Sequence, residues 1–164
     1  MGIIRTLKNL EVVILIFALL VNVFLFVYLI RPQITSNIVL VKNYEKKAPY
    51  DFIKENEIFY KNGQLILNIT HPVLSRYNSS GSMMPVLSEN STGIGIRPLS
   101  EKEVHIGDIV SFWKNGGLIT HRVVDKGYDD KGVYFITEGD NSDFADKFKV
   151  RFSEIDSVLV AIIY

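Results

Sequence analysis

The sequence predicts a mainly β domain behind one N-terminal transmembrane helix, and three observations predict it. Residues 12–30 are apolar except for Asn22, with Tyr28 near the far end. The rest of the chain carries its apolar residues in short runs of strand length. Asn-Gly pairs separate two pairs of those runs, at Asn62-Gly63 and Asn115-Gly116.

The apolar segment is the first element. Its nineteen residues cover roughly 28 Å as a helix, close to the ~30 Å hydrocarbon core of a bilayer. A removable secretory signal has a shorter apolar region and a small-residue cleavage site after it. Here Arg31, Pro32 and Gln33 follow, so the segment reads as a retained anchor, with Pro32 ending the helix. Asn22 could face a partner helix, although a lone Asn in a span is more often simply tolerated. The flanking basic residues do not decide orientation, because Arg5 and Lys8 on one side face Arg31, Lys42, Lys46 and Lys47 on the other. Three Asn-x-Ser/Thr triplets, at Asn68, Asn78 and Asn90, all follow the span and fit an exterior C-terminal domain.

The strand runs come next. Residues 38–41 are the first. Residues 58–60 and 65–67 flank Asn62-Gly63, and residues 109–113 and 118–120 flank Asn115-Gly116. Both sets predict β-hairpins, since Asn-Gly accepts the positive φ values of a tight turn. The turn Asp129-Asp130-Lys131-Gly132 leads into a strand over 133–137, and the apolar run 158–164 is too short to span a bilayer and is expected to close the sheet. Only residues 50–57 read as helical. The expected organisation is a cytosolic tip and anchor over 1–33, a linker with accessory β elements over 34–78, and a catalytic core over 79–164.

Composition narrows the function. Among the 164 residues, 18 basic and 18 acidic side chains cancel, so no excess of positive charge is available for a phosphate backbone and nucleic acid is not an expected partner. The chain has no cysteine, so disulfides, thiolate nucleophiles and cysteine-ligated metals are excluded. Chemistry must come from oxygen and nitrogen groups.

Three segments offer such groups. Ser79-Ser80-Gly81-Ser82-Met83-Met84-Pro85 exposes a hydroxyl among small residues. A serine nucleophile needs a base to take its proton. Of three histidines, His71 precedes a proline in a loop and His105 lies in a polar turn, so both read as surface residues. His121 follows the strand run 118–120 and would sit on rigid sheet, where imidazole can accept and return a proton near neutrality. The third segment, Gly139-Asp140-Asn141-Ser142-Asp143-Phe144-Ala145-Asp146, is an acidic loop from which one carboxylate would orient His121. Calcium is the rival ligand for this loop, but the spacing lacks the twelfth-position glutamate of an EF-hand.

In this order the three segments, with Gly107-Asp108-Ile109-Val110, resemble the signal peptidase I family. The resemblance covers roughly residues 79–164 plus the anchor. It implies a coiled β-sheet catalytic domain of the kind signal peptidases share with self-cleaving repressors, behind an N-terminal membrane anchor. Bacterial members use a lysine base in a Lys-Arg-Val-Val-like stretch. His121-Arg122-Val123-Val124 stands in that place and is similar to the archaeal and endoplasmic-reticulum branch, which uses histidine. Matching residue by residue implies Ser82 as nucleophile, His121 as general base, Asp146 as the acid that orients it and Asp140 as an auxiliary acid. It also implies an oxyanion hole from the Ser82 amide and the Ser80 hydroxyl, with no metal and no cofactor. Met84 resembles the bacterial box, where the histidine branch usually has glutamate, so the motif is a hybrid.

The implied activity is removal of signal peptides from secreted preproteins at the cell membrane or endoplasmic-reticulum membrane. The protein would cross once, with its catalytic domain on the exterior or lumenal side. The expected partners are the signal peptides of preproteins, the lipid bilayer and secretion-machinery subunits. Exposed apolar residues such as Phe112 and Trp113 could rest on the lipid surface, although a place in the sheet core is an equal alternative. The alternative function is a non-catalytic membrane-anchored β-domain that binds a partner protein, for which the long 36–78 segment is the best support. A self-cleaving repressor lacks its lysine base and DNA-binding region here.

Overall fold

The computed structural model describes residues 16–26 and 44–164. The chain divides into two compact units, Met1–Lys42 and Asn43–Tyr164. In the first unit, residues 16–26 are helical and exposed. Asn22 donates its side-chain amide to the Ala18 carbonyl at 2.9 Å, one turn back. One of its amide hydrogens is therefore used within its own helix. The expected span over 12–30 and the strand over 38–41 reach outside the described residues. No helix among the described residues is long and apolar enough to cross a membrane.

The second unit is mainly β. A two-stranded hairpin pairs β1 (Ile58–Lys61) with β2 (Gln64–Leu67). Asn62 and Gly63 turn it with φ of 54° and 77°, as the sequence predicts. The remaining strands are β3 (Val73–Arg76), β4 (Thr92–Ile96), β5 (Ile109–Lys114), β6 (Gly117–Asp129), β7 (Gly132–Glu138), β8 (Val150–Arg151) and β9 (Ile155–Ile163). They form one antiparallel sheet in the order β3-β4-β9-β5-β6-β7-β8. The terminal run thus becomes an interior strand, β9, held by neighbours on both sides. The sheet also takes in β3, which precedes residue 79.

The long strand β6 positions the site. Its first half, up to Arg122, pairs with β5, while β7 pairs with it only from Arg122 onward. A register shift between Val123 and Asp125 marks the change of partner, and such a bulge bends the strand. Val104, Val110, Phe112, Val123, Phe135, Val150 and Val158 pack into one core cluster, all fully buried. Phe112 therefore belongs to the interior, and of the pair Phe112 and Trp113 only Trp113 is exposed. Met83, Leu87 and Ile109 form a second cluster, packed against Tyr77 and Leu159. Because Met83 follows Ser82 directly, this burial, worth roughly 1.5–3 kcal/mol for one such side chain, fixes the 79–85 segment to β5, the strand that carries the partner of His121.

Residues 50–57 are not helical as expected. They hold a single 3₁₀ turn, Glu55–Glu57, in otherwise irregular chain. The Tyr50 amide donates to the Asp108 carboxylate at 2.8 Å and its ring stacks on His105 at 4.1 Å. These tertiary contacts outweigh a weak local helix propensity. They also correct the reading of His105, which is half-buried beneath Tyr50 with Nδ1 3.4 Å from the buried Asp108 carboxylate. His71 is exposed, as expected.

Candidate active site

The segment 79–85 turns at Gly81, whose φ of +72° suits glycine. Ser82 is half-buried, with Met83 behind it in the core and Met84 facing out. His121 lies in the first half of β6, in register with the fully buried Val110 of β5. Sheet pairing on one side and the acid loop on the other leave its ring little freedom.

The three side chains meet in a line. His121 Nε2 is 3.3 Å from Ser82 Oγ, across a sequence separation of 39. His121 Nδ1 is 2.8 Å from Asp146 Oδ2. Asp146 in turn accepts the Thr137 hydroxyl at 2.6 Å, and its amide donates to the Thr137 carbonyl at 2.7 Å. Thr137 thus fixes both the backbone and the carboxylate of the acid. With Asp146 accepting at Nδ1–H, the neutral ring presents the lone pair of Nε2 to the serine hydroxyl.

The loop after β7 closes around this line. The Asn141 amide donates to the Ser82 carbonyl at 2.9 Å, and its side chain donates to the Gly81 carbonyl at 3.2 Å. Gly139 packs so tightly that a Cβ there would lie 2.6 Å from the Ser82 carbonyl oxygen and 3.3 Å from His121 Nε2. Ser80 Oγ lies 3.4 Å from Ser82 Oγ, on the exposed side.

Asp140 has a different role from the auxiliary acid the resemblance implies. Both its oxygens accept from Arg122, at 2.7 Å from Nε and 2.7 Å from Nη2, with both side chains more than nine-tenths buried. Arg122 also donates to the Gly107 carbonyl at 2.8 Å. The Asp140 carboxylate is therefore committed to a two-pronged ion pair that braces the loop beside His121. Asp108, in the Gly107-Asp108-Ile109-Val110 segment, is fully buried and accepts the His105 and Tyr50 amides. Its work is to pin the turn that starts β5. Among the described residues, no group of three or more metal-ligating side chains converges.

A cleft of about 390 Å³ runs beside Ser82, lined by Tyr77, Asn78, Met83, Leu87, Ile119 and Thr120 among others. One wall is the first half of β6, which β7 leaves unpaired before Arg122. Burial pushes the Tyr77 hydroxyl up to about 12, so it stays protonated in this wall. Asn78 also lines the cleft, where a glycan on its triplet would occupy it. Comparison with protein families, curated proteins and solved structures finds no match for this chain.

Two contributors escape a reading of the sequence: Thr137 and Lys46, whose ammonium meets the same loop from the other side. Thr137 lies near the end of β7, which leads into the acid loop, and that is its only local signal. Lys46 carries none.

Proposed function

We propose that this chain is a membrane-anchored serine endopeptidase of the signal peptidase I type, which removes N-terminal signal peptides from preproteins. The observation that carries the reading is the continuous line Ser82–His121–Asp146, with hydrogen-bond distances of 3.3 and 2.8 Å. A structural histidine needs no serine at its second nitrogen, and a surface serine needs no imidazole. Together with an open cleft, the pairing fits acyl transfer.

In this reading Ser82 Oγ attacks the scissile carbonyl while His121 Nε2 takes its proton. The resulting imidazolium is stabilised by Asp146 and returns the proton to the leaving amine as the carbon–nitrogen bond breaks. The acyl group stays on Ser82 until His121 draws a proton from water and the hydroxide attacks; the ester bond to Ser82 Oγ then breaks as His121 returns that proton to the serine oxygen. The negative oxygen of each tetrahedral intermediate is held by the Ser82 amide and the Ser80 hydroxyl, each donor typically contributing ~3–4 kcal/mol. The substrate enters extended along the first half of β6, adding a strand to the edge that β7 leaves free before Arg122. The resemblance implies small residues one and three positions before the cut.

The apolar run over 12–30 supports the anchored form, a single-pass protein of the cell or endoplasmic-reticulum membrane with the catalytic unit outside or lumenal. Anchoring raises the effective concentration of a membrane-bound substrate. The hairpin of β1 and β2, with Phe59, Tyr60 and Leu65 exposed, offers a surface to secretion-machinery subunits. The non-catalytic alternative uses that hairpin too, but gives the aligned serine, histidine and aspartate nothing to do.

The test is cleavage of a model preprotein with alanine one and three residues before the cut, using the full chain in liposomes and mapping the product by mass spectrometry. A single cut after the signal segment is expected. An intact preprotein after prolonged incubation with wild type would overturn the reading.

A further inference from the structure

Just before the catalytic unit's first strand, residues 46–50 lie along the back of the site. The Lys47 carbonyl accepts from Arg122 at 3.2 Å, the Ala48 carbonyl packs where a Cβ on Gly107 would stand, and the Tyr50 amide reaches Asp108. Lys46 reaches furthest. Its ammonium lies 2.8 Å from the Asp140 carbonyl, 3.3 Å from that of Gly139 and 3.4 Å from that of Ser142. It also lies 3.2 Å from the carboxylate of Glu138, whose side chain is only 7% exposed. A buried carboxylate beside three convergent carbonyl oxygens is a strongly negative pocket, and a cation is what offsets it.

We propose that Lys46 is a positioning residue for the nucleophile, holding residues 138–142 in the one conformation that grips Ser82. This rests on the proposed peptidase reading for its catalytic consequence but on geometry alone for the coupling. The chain of contacts is short. Lys46 fixes the carbonyls of Gly139, Asp140 and Ser142. The intervening Asn141 then presents its amide to the Ser82 carbonyl and its side chain to Gly81. Remove the ammonium, and the three carbonyls and Glu138 repel one another. The loop then drifts from Ser82, and the serine hydroxyl loses its alignment with Nε2.

The experiment compares full-length wild type, Lys46→Met and Lys46→Arg. Hydrogen exchange at the Asn141 amide is read by NMR, and kcat and KM are measured on the model preprotein. Lys46→Met is expected to speed Asn141 exchange and lower kcat, each about tenfold or more, with KM within about twofold. Lys46→Arg, which keeps the charge, is expected to recover most of both. A merely structural lysine would lower the unfolding midpoint while leaving kcat of the folded protein and Asn141 exchange at wild-type values, and that result overturns the proposal. If wild type cuts nothing, the peptidase reading fails, and the exchange rate alone decides: unchanged exchange in Lys46→Met overturns the positioning role. Should Lys46→Met not fold, Lys46→Gln, which also removes the ammonium but keeps a polar end, carries the same expectation.

Discussion

Gly139 and Ser82 approach so closely that a methyl group on the first would stand 2.6 Å from the carbonyl oxygen of the second. The same methyl would lie 3.3 Å from His121 Nε2. A glycine at this point lets the loop after β7 close against Ser82 from one side.

Gly139→Ala is therefore expected to push the loop off Ser82 and cost about 10²-fold in kcat, the penalty typical of a misplacement near 1 Å. The sheet core lies elsewhere, so far-ultraviolet circular dichroism should match wild type. Full activity in a folded variant would mean the loop is not needed in this position.

Asp146→Asn tests the orienting acid. An amide in its place can donate to Nδ1, leaving the proton on Nε2 and no lone pair for the serine. A fall on the order of 10³–10⁴-fold in kcat is expected, with preprotein binding retained. A loss below about tenfold would assign orientation of the ring to something other than Asp146.

The Arg122–Asp140 pair makes a stability prediction instead. Removing one member leaves the other buried and charged, so Asp140→Leu is expected to cost about 3–5 kcal/mol in urea unfolding. Arg122→Met with Asp140→Leu should recover much of that loss. A single variant within about 0.5 kcal/mol of wild type would show the pair to be far better solvated than its burial implies.

Asp129 supplies a pH dependence. Hydrogen bonds from Arg151 and Lys149 hold its carboxyl well below the usual carboxylate range. A folded-state value lower than the unfolded one means stability that is present above ~3.9 and erodes as pH falls below it toward the folded value. The gap in urea stability between wild type and Asp129→Asn should thus stay constant from pH 8 to 5 and narrow below about pH 4. A gap that widens in acid would contradict the assignment.

What could be read from the sequence was local. Asn62-Gly63 and Asn115-Gly116 set their turns through their own φ preferences, with Asn115 at 51° and Gly116 at 79°, so both hairpins were legible without any tertiary knowledge. The strings around Ser82, His121 and Asp146 were legible as chemistry, because each stands in a short stretch of telling residues. Other parts depend on partners far along the chain. Residues 50–57 form no helix because Asp108 and His105 capture Tyr50 from across the fold. Lys46 looks like one more linker lysine until its partners, Glu138 and the carbonyls of Gly139, Asp140 and Ser142, are in view. The resemblance implies Asp140 as an auxiliary acid, yet its neighbour in space is Arg122, which follows His121 on β6 and occupies both its oxygens.

The central claim is that Ser82 forms an acyl-enzyme with His121 taking its proton, and single-turnover cleavage of the model preprotein tests it most directly. Wild type, Ser82→Ala and His121→Ala would be measured side by side, with quenched samples searched by mass spectrometry for an acyl adduct on the peptide containing Ser82. The account predicts a transient adduct in wild type, none in Ser82→Ala, and a fall of at least about 10⁴-fold in rate for each variant. Cleavage by Ser82→Ala at the wild-type rate would contradict it.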